Sequence, residues 1–271
     1  MTFDSNRAWK DASGAISANR DAVFAIAGVF FLLPSLMLAL FFPQPEPEVG
    51  MEQEAIVQMS VDYYSSILPV LIPMVLVQAM GTLAILALLF GGDRPTVGSA
   101  IKSAAGGVLT YFLAQILLGL MVGLVGGLVL TIFALFGVPL LAAVGIVFAI
   151  GVAVYFGVRA SLAGPVIALE SERNPVAALK RSWAMTRGRA GRIALFYGLV
   201  AIAFIVAMAV ISALIGIVVA LFASPSTVAI VGAVISATLS AVLATYFVGI
   251  VAAVYRQLAG PDAGEIASRF D

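Results

Sequence analysis

Arg159 is the residue whose placement calls most for chemistry. It stands inside the apolar stretch Leu140–Leu169, about ten residues before its end. In a helix rising 1.5 Å per residue that is ~15 Å along the axis. A cation at the centre of a bilayer costs roughly 2.5–3.5 kcal/mol on the insertion scale, so such a residue points to function by default. Gly157, Ser161 and Gly164 surround it with small residues. Pro165 lacks an N–H and frees carbonyls upstream at Ser161 and Leu162. Two readings stay open. Arg159 snorkels or bonds those carbonyls, or it forms an anion site facing a cavity. An arginine suits the second because its planar fork holds phosphate through two parallel hydrogen bonds and stays charged.

Most other chemistry is absent. The 271 residues include no histidine and no cysteine. This removes the commonest general base and zinc ligand, together with disulfide, thiol and iron–sulfur chemistry. No Asp or Glu lies within an apolar stretch, and Glu170 and Glu172 sit beside Arg173. Glu46, Glu48, Glu52 and Glu54 could hold a cation, but their spacing is not that of a calcium loop, and nearby prolines and glycine suggest a solvated connection. No phosphate-cradling loop occurs, since the glycines of 119–127 lie in a wholly apolar run. No enzyme activity, metal or cofactor is therefore expected.

The elements that position Arg159 are membrane helices. At 62% apolar and 10% charged, the chain has more hydrophobic surface than a soluble domain could cover. Six stretches, Ala22–Phe42, Ile67–Phe90, Val108–Phe133, Leu140–Leu169, Ile193–Phe222 and Val228–Tyr255, reach the ~20 residues that span a bilayer core. All fourteen Lys and Arg fall in 1–20, 91–107, 159–192 and 256–271, and none in 43–66, 134–139 or 223–227. The positive-inside rule places both termini in the cytoplasm. Fourteen positive and nine negative residues then face inward, and five negative residues outward. Such an inner face attracts anionic headgroups. That rule already explains the basic residues, so no nucleic-acid partner is implied. The run from Ala22 is about twice a signal-peptide core and is expected to stay as an uncleaved helix. Kinks are expected near Pro34, Pro69 and Pro73.

The expected fold is all-α: one polytopic membrane domain, 1–271, with six transmembrane helices and three short cytoplasmic interfacial helices over 5–18, 95–104 and 175–187. Three parallel hairpin repeats, 1–92, 93–171 and 172–271, are suggested by short matches. Thr82-Leu83-Ala84, Asp93-Arg94-Pro95 and Ala100-Ile101-Lys102 parallel Ser161-Leu162-Ala163, Glu172-Arg173-Asn174-Pro175 and Ala178-Leu179-Lys180 with one gap. Arg7-Ala8-Trp9-Lys10 resembles Arg181-Ser182-Trp183-Ala184. In 175–187, Val176, Leu179 and Trp183 form one stripe, flanked by Lys180 and Arg187, whose stems suit an interfacial position. Arg159, Lys180, Arg181, Trp183 and Arg187 are thus candidates for binding lipid or another anion. Trp9 and Trp183, the two tryptophans, would lie at the inner interface. Gly119, Gly123 and Gly127 line one helix face and are expected to pack against Gly145 and Gly151, or else to mediate dimerisation.

A family resemblance rests on Val158-Arg159-Ala160-Ser161-Leu162-Ala163-Gly164-Pro165, Asn174-Pro175, Ala178-Leu179-Lys180-Arg181-Ser182-Trp183 and Thr186-Arg187-Gly188. Tyr255-Arg256-Gln257-Leu258 and Arg7-Ala8-Trp9 fit it as well, so that it covers most of the chain. The pattern resembles the bacterial family known as the glycerophosphoryl diester phosphodiesterase membrane domain, and related six-helix inner-membrane families. In proteins bearing that name, the phosphodiesterase chemistry belongs to a separate soluble barrel using histidines and metal-binding carboxylates. The resemblance therefore implies a membrane module in the bacterial inner membrane and not that activity. Some relatives are associated with lipid metabolism or transport.

Two functions are expected from these features. The first is handling of a lipid or other amphiphile, with anionic headgroups as cytoplasmic-side partners. The second is a structural or accessory subunit that packs against a protein partner or its own copies. The topology itself is testable. Reporter fusions at Glu52 and Gly188 should report opposite sides of the membrane, and agreement between them would overturn it.

Overall fold

A computed structural model describes residues 3–91, 96–222 and 224–259, and the assigned elements are helical throughout. They are α1 (Ser5–Ala18), α2 (Arg20–Ala27), a π-helical turn (Gly28–Leu32), α3 (Leu33–Phe41), α4 (Gln53–Phe90), α5 (Val97–Ala105), α6 (Val108–Ala134), α7 (Pro139–Ala160), α8 (Ala163–Leu169), α9 (Pro175–Thr186), α10 (Ala190–Phe222) and α11 (Pro225–Ala259). Six stretches are long and apolar enough to cross a membrane: Arg20–Phe41, Gln53–Phe90, Val108–Ala134, Pro139–Leu169, Ala190–Val219 and Thr227–Ala259. Each overlaps one of the six read from sequence. The chain is thus a multi-pass membrane protein.

Short helices occupy Ser5–Ala18, Val97–Ala105 and Pro175–Thr186, close to the three expected segments. Asp93, Arg94 and Pro95, part of the repeat pattern, lie outside the described residues. Each of the three short helices is capped at its start by a side chain. Asp4 accepts from the N–H of Arg7, and Thr96 from that of Ser99. Asn174 accepts from Val176 and Ala177, with Pro175 at the first turn.

Proline chemistry shapes the first two spans differently. Pro34 cannot donate, and its ring would crowd the carbonyl of Phe30 in a regular helix. The backbone widens before it, with the N–H of Leu33 reaching the carbonyl of Gly28. This turn presents Phe30 and Phe31 to α4, where Gly81 lacks the Cβ that would collide with the Cβ of Phe30. By contrast, α4 runs unbroken through Pro69 and Pro73.

The connection 43–66 was expected as loop, yet its second half is helix. α4 begins at Gln53 and runs for 38 residues. The 14 residues ahead of Ile67 add ~21 Å of helix. Glu54 in its first turn favours the helix start, and Gln58 bonds Asp62 one turn on at 2.8 Å. Tyr63 donates to the carbonyl of Phe42 at 2.6 Å, and Gln44 donates to the Tyr64 hydroxyl at 2.8 Å. Glu46, Glu48, Glu52 and Glu54 are all exposed.

The core is concentrated at the end that carries the Lys and Arg residues. Ile16, Ile26, Leu83, Ile85, Leu86, Leu162, Ile167, Ile193, Ile250 and Val254 are fully buried there. The N-terminus is fastened to α11: the N–H of Asp4 and the amide of Gln257 exchange two 3.1 Å bonds, and Trp9 stacks on Tyr246. Toward the other end, Leu124, Leu135, Leu140 and Leu214 are exposed, as lipid-facing residues would be.

Close contacts at glycine give a test. Gly81→Ala should destabilise by roughly 1–3 kcal/mol through overpacking against Phe30 and Phe31. Gly14→Ala, with nothing within 4 Å of its new Cβ, should not. Thermal melting of the purified protein in detergent measures both.

Candidate functional site

The fourth span is broken where one helix was expected. α7 ends at Ala160 and α8 starts at Ala163. Pro165 in the first turn of α8 supplies no N–H to continue a ladder across the break. Ser182 of α9, itself fully buried, reaches into the gap. Its hydroxyl accepts from the N–H of Leu162 at 3.1 Å and donates to the carbonyl of Arg159 at 2.7 Å. Such pairing matters in hydrocarbon, where an unsatisfied backbone group costs several kcal/mol.

This placement rotates α9 relative to the expected stripe. Its buried face is Ala178, Leu179, Ser182, Met185 and Thr186, while Val176 is exposed and Trp183 is half-buried. Of the expected stripe, only Leu179 is buried. Two hydroxyls face inward because each has a backbone carbonyl to bond. The Thr186 hydroxyl lies 3.0 Å from the carbonyl of Ser182. Gly188, at φ 75°, then turns the chain toward α10, a conformation that glycine adopts freely.

Arg159 meets the side chains of this helix. Its guanidinium carbon is 5.3 Å from the Trp183 ring centre and 5.9 Å from that of Tyr155. Phe156 meets Trp183 edge-on and holds the indole in place. One guanidinium nitrogen lies 3.4 Å from the Thr186 hydroxyl, while the Nε is buried without a hydrogen-bond partner. No carboxylate pairs with Arg159 among the described residues. Of the two carbonyls that Pro165 was expected to free, that of Leu162 accepts from the N–H of Val166 at 3.1 Å, and the described bond of the Arg159 guanidinium goes to Thr186.

The other candidates divide. Lys180, Trp183 and Arg187 are spaced three and four apart and share a helix face, with Lys180 and Arg187 exposed. Arg187 adjoins Thr186, the hydroxyl that meets Arg159. Arg181 points elsewhere. It pairs with Glu170 at 3.4 Å, and the same carboxylate oxygen accepts from Tyr255 at 2.8 Å. Gly119, Gly123 and Gly127 do not pack within the described chain, for a Cβ at any of them would meet nothing within 4 Å. The contact between α6 and α7 uses the neighbouring Gly126, near Ala149, and Gly145, where an added Cβ would lie 2.7 Å from the Cβ of Phe133.

A cavity of about 460 Å³ lies among α4, α6, α7, α8, α10 and α11. Val154, Gly157, Val158 and Ala160 of α7 and Ser161 in the break line it, but Arg159 does not. Its polar lining groups are Thr82, Tyr111, Gln115, Ser161 and Tyr197. Thr82 and Ser161 entered the sequence reading only through the repeat match and the surroundings of Arg159, and Tyr111, Gln115 and Tyr197 were not singled out, since isolated polar groups in apolar runs carry no motif. A second groove of about 610 Å³ runs past Pro34, Pro69 and Pro73 and is lined by apolar side chains alone.

The fold and these sites define a polytopic, all-helical membrane domain. Residues 130–260, just under half of the chain, match the family described as the membrane domain of glycerophosphoryl diester phosphodiesterase. The resemblance read from the Arg159–Gly188 block is borne out over that stretch. Its reach is narrower than expected, because Arg7-Ala8-Trp9 falls outside the match. No curated protein and no solved structure matches the chain.

The bridge across the break makes a prediction. Ser182→Ala should strand the N–H of Leu162 and lower stability by about 1–3 kcal/mol. Ser13→Ala, whose hydroxyl bonds only carbonyls of its own helix α1, should change little. Detergent melts of both variants would show whether the buried hydroxyl carries this role.

Proposed function

We propose that this chain binds an anionic lipid headgroup at Arg159 and acts in lipid handling, without catalytic chemistry of its own. The observation that carries the reading is a cation held between Trp183 and Tyr155 with no carboxylate and a buried, unpartnered Nε. A half-buried charge is costly when unpaired. A phosphate would supply the missing partner through charge-assisted bonds. The aromatic walls stabilise the cation without neutralising it, so its charge stays available. Lys180 and Arg187, exposed on the face shared with Trp183, add positive potential beside that point. Arg181 contributes less, since Glu170 already engages it. This reading places α9 at the inner interface of a bacterial inner membrane, with both termini cytoplasmic.

A second reading is favoured by a different observation. The ridge of Gly119, Gly123 and Gly127 has open space before it, and small residues at that spacing admit a close helix partner. On this reading the chain is an anchor or accessory subunit that packs on a protein partner or on its own copies. The family's description as the membrane domain of a phosphodiesterase suits that role.

Native mass spectrometry of the full chain in mild detergent separates them. With phosphatidylglycerol and phosphatidylcholine offered together, the first reading expects preferential retention of phosphatidylglycerol. Arg159→Leu should weaken that retention roughly tenfold, the ratio given by about 1.4 kcal/mol, and Arg159→Lys should restore it only in part. Retention unchanged in Arg159→Leu, with equal or higher melting temperature, would overturn the headgroup reading. A co-purifying protein or a dimer abolished by Gly123→Leu would favour the second.

A further inference from the structure

The cavity beside α7 has a chemistry distinct from that of Arg159. Of its nineteen lining residues, none is Asp, Glu, Lys or Arg. A charged group entering it would lose water and meet no counter-ion, at a cost of several kcal/mol. A purely apolar occupant would leave the polar lining unused. Tyr111 and Gln115 are 3.5 Å apart, and Ser161 and Tyr197 are 3.4 Å apart. Both contacts are at the long limit of a hydrogen bond. The Ser161 O–H donates to the carbonyl of Val158 at 2.8 Å, so its oxygen is left as an acceptor, and the Tyr197 O–H retains capacity for a further partner. Gln115 is the clearest case. Its amide brings two donors and an acceptor into an otherwise apolar span, and its one described bond is that long contact to Tyr111.

The backbone keeps this space open. Gly157 and Gly198 line the cavity, and a Cβ at either would meet nothing within 4 Å. Gly164, in contrast, permits close approach of Tyr111 and Leu86, at 3.3 and 3.4 Å from its would-be Cβ. At the break the Ser161 hydroxyl donates to the Val158 carbonyl and leaves its oxygen 3.4 Å from the Tyr197 hydroxyl. At about 460 Å³ the volume falls within the range of small-molecule sites.

We infer that this cavity binds an uncharged amphiphile, a lipid chain ending in a hydroxyl or amide group. The chain lies against Leu86, Leu118, Val154 and Phe247, and the polar end bonds Gln115 and the Ser161–Tyr197 pair. The site is separate from Arg159 and does not depend on an anionic lipid binding there.

Photo-crosslinking of the full chain in lipid nanodiscs tests this. The probe is a hexadecanol with a diazirine beside its hydroxyl. Controls share its chain and diazirine but end in carboxylate, trimethylammonium or methyl. The expected result is saturable labelling by the alcohol of peptides around Gln115 in α6 and Tyr197 in α10, competed by unlabelled hexadecanol. The control probes should label these peptides about tenfold less. Gln115→Leu should reduce labelling by the alcohol without changing that by the methyl-ended probe. Gly157→Leu with Gly198→Leu should abolish it by filling the space. Equal labelling by the methyl-ended or charged probes would overturn the inference, as would labelling unaffected by the double substitution in a protein that still elutes as a folded species. Should the double variant not fold, the probe comparison on the parent chain and Gln115→Leu decides alone. None of these outcomes bears on phosphatidylglycerol retention, so the two sites stand or fall separately.

Discussion

One hydroxyl governs the middle of this molecule. Ser182 accepts the N–H of Leu162 and donates to the carbonyl of Arg159, thereby closing the backbone across the break between α7 and α8. The constraint behind it is that hydrocarbon offers no water to an interrupted helix. A side chain from another helix must supply the partner, which fixes α9 against the break in one rotational setting. Leu179 and Met185 then bury alongside Ser182, and Trp183 and Thr186 arrive at Arg159. The cation site is in this sense a consequence of the backbone repair. On the other side of α7, the same break leaves Ser161 facing Tyr197 and the cavity.

Around this point the protein has two different textures. At the charged end, small residues such as Ala8, Ala12, Ala84, Ala100, Ala178 and Ala252 are almost fully buried and let helices approach closely. Polar fasteners join elements distant in sequence, as Asp4 with Gln257 and Glu170 with Tyr255. Away from that end, α6, α7, α10 and α11 expose Leu, Ile and Val on much of their surface. Lipid tails are as apolar as those side chains, so little drives the helices together there. The cavity lies at the boundary, with buried Leu86, Tyr197 and Val251 at its wall and longer exposed stretches beyond.

The six spans and the short helices were legible because length, hydropathy and capping residues act locally. Asn174-Pro175 and Thr96 mark helix starts whatever surrounds them. Arg159 was legible as well, since a charge in an apolar run needs an explanation in any fold. What stayed hidden required a partner distant in sequence. Ser182 and Thr186 lie outside the apolar stripe read in 175–187, yet they point inward, where buried backbone carbonyls are there to bond. The glycines of α6 read as one ridge, yet only Gly126 faces α7, because rotation of a helix is set by its neighbours. The extension of α4 to Gln53 was missed because its polar residues obscure the span's start, while bonds from Tyr63 and Tyr64 to the preceding connection hold it.

Two positions distinguish the end of α4 and helix α5 from the end of the fourth span and helix α9. Aligning Thr82-Leu83-Ala84 with Ser161-Leu162-Ala163 sets Leu86 opposite Pro165, and aligning Ala100-Ile101-Lys102 with Ala178-Leu179-Lys180 sets Ala104 opposite Ser182. Several corresponding residues share their surroundings. Leu83 and Leu162 are both fully buried, Ala100 and Ala178 are both buried, and Thr82 and Ser161 line the same cavity. The backbone differs: α4 continues through Leu86, whereas the fourth span breaks before Pro165. Where the helix is whole, the packed residue of the short helix is Ala104, which has nothing to donate. Where it is broken, that residue is Ser182, which bonds both sides of the gap. A proline without the serine would leave a buried N–H unpaired, and a serine without the proline would bring a hydroxyl to a helix with no free group. The proline and the serine make sense only together, and together they mark the segment that holds Arg159.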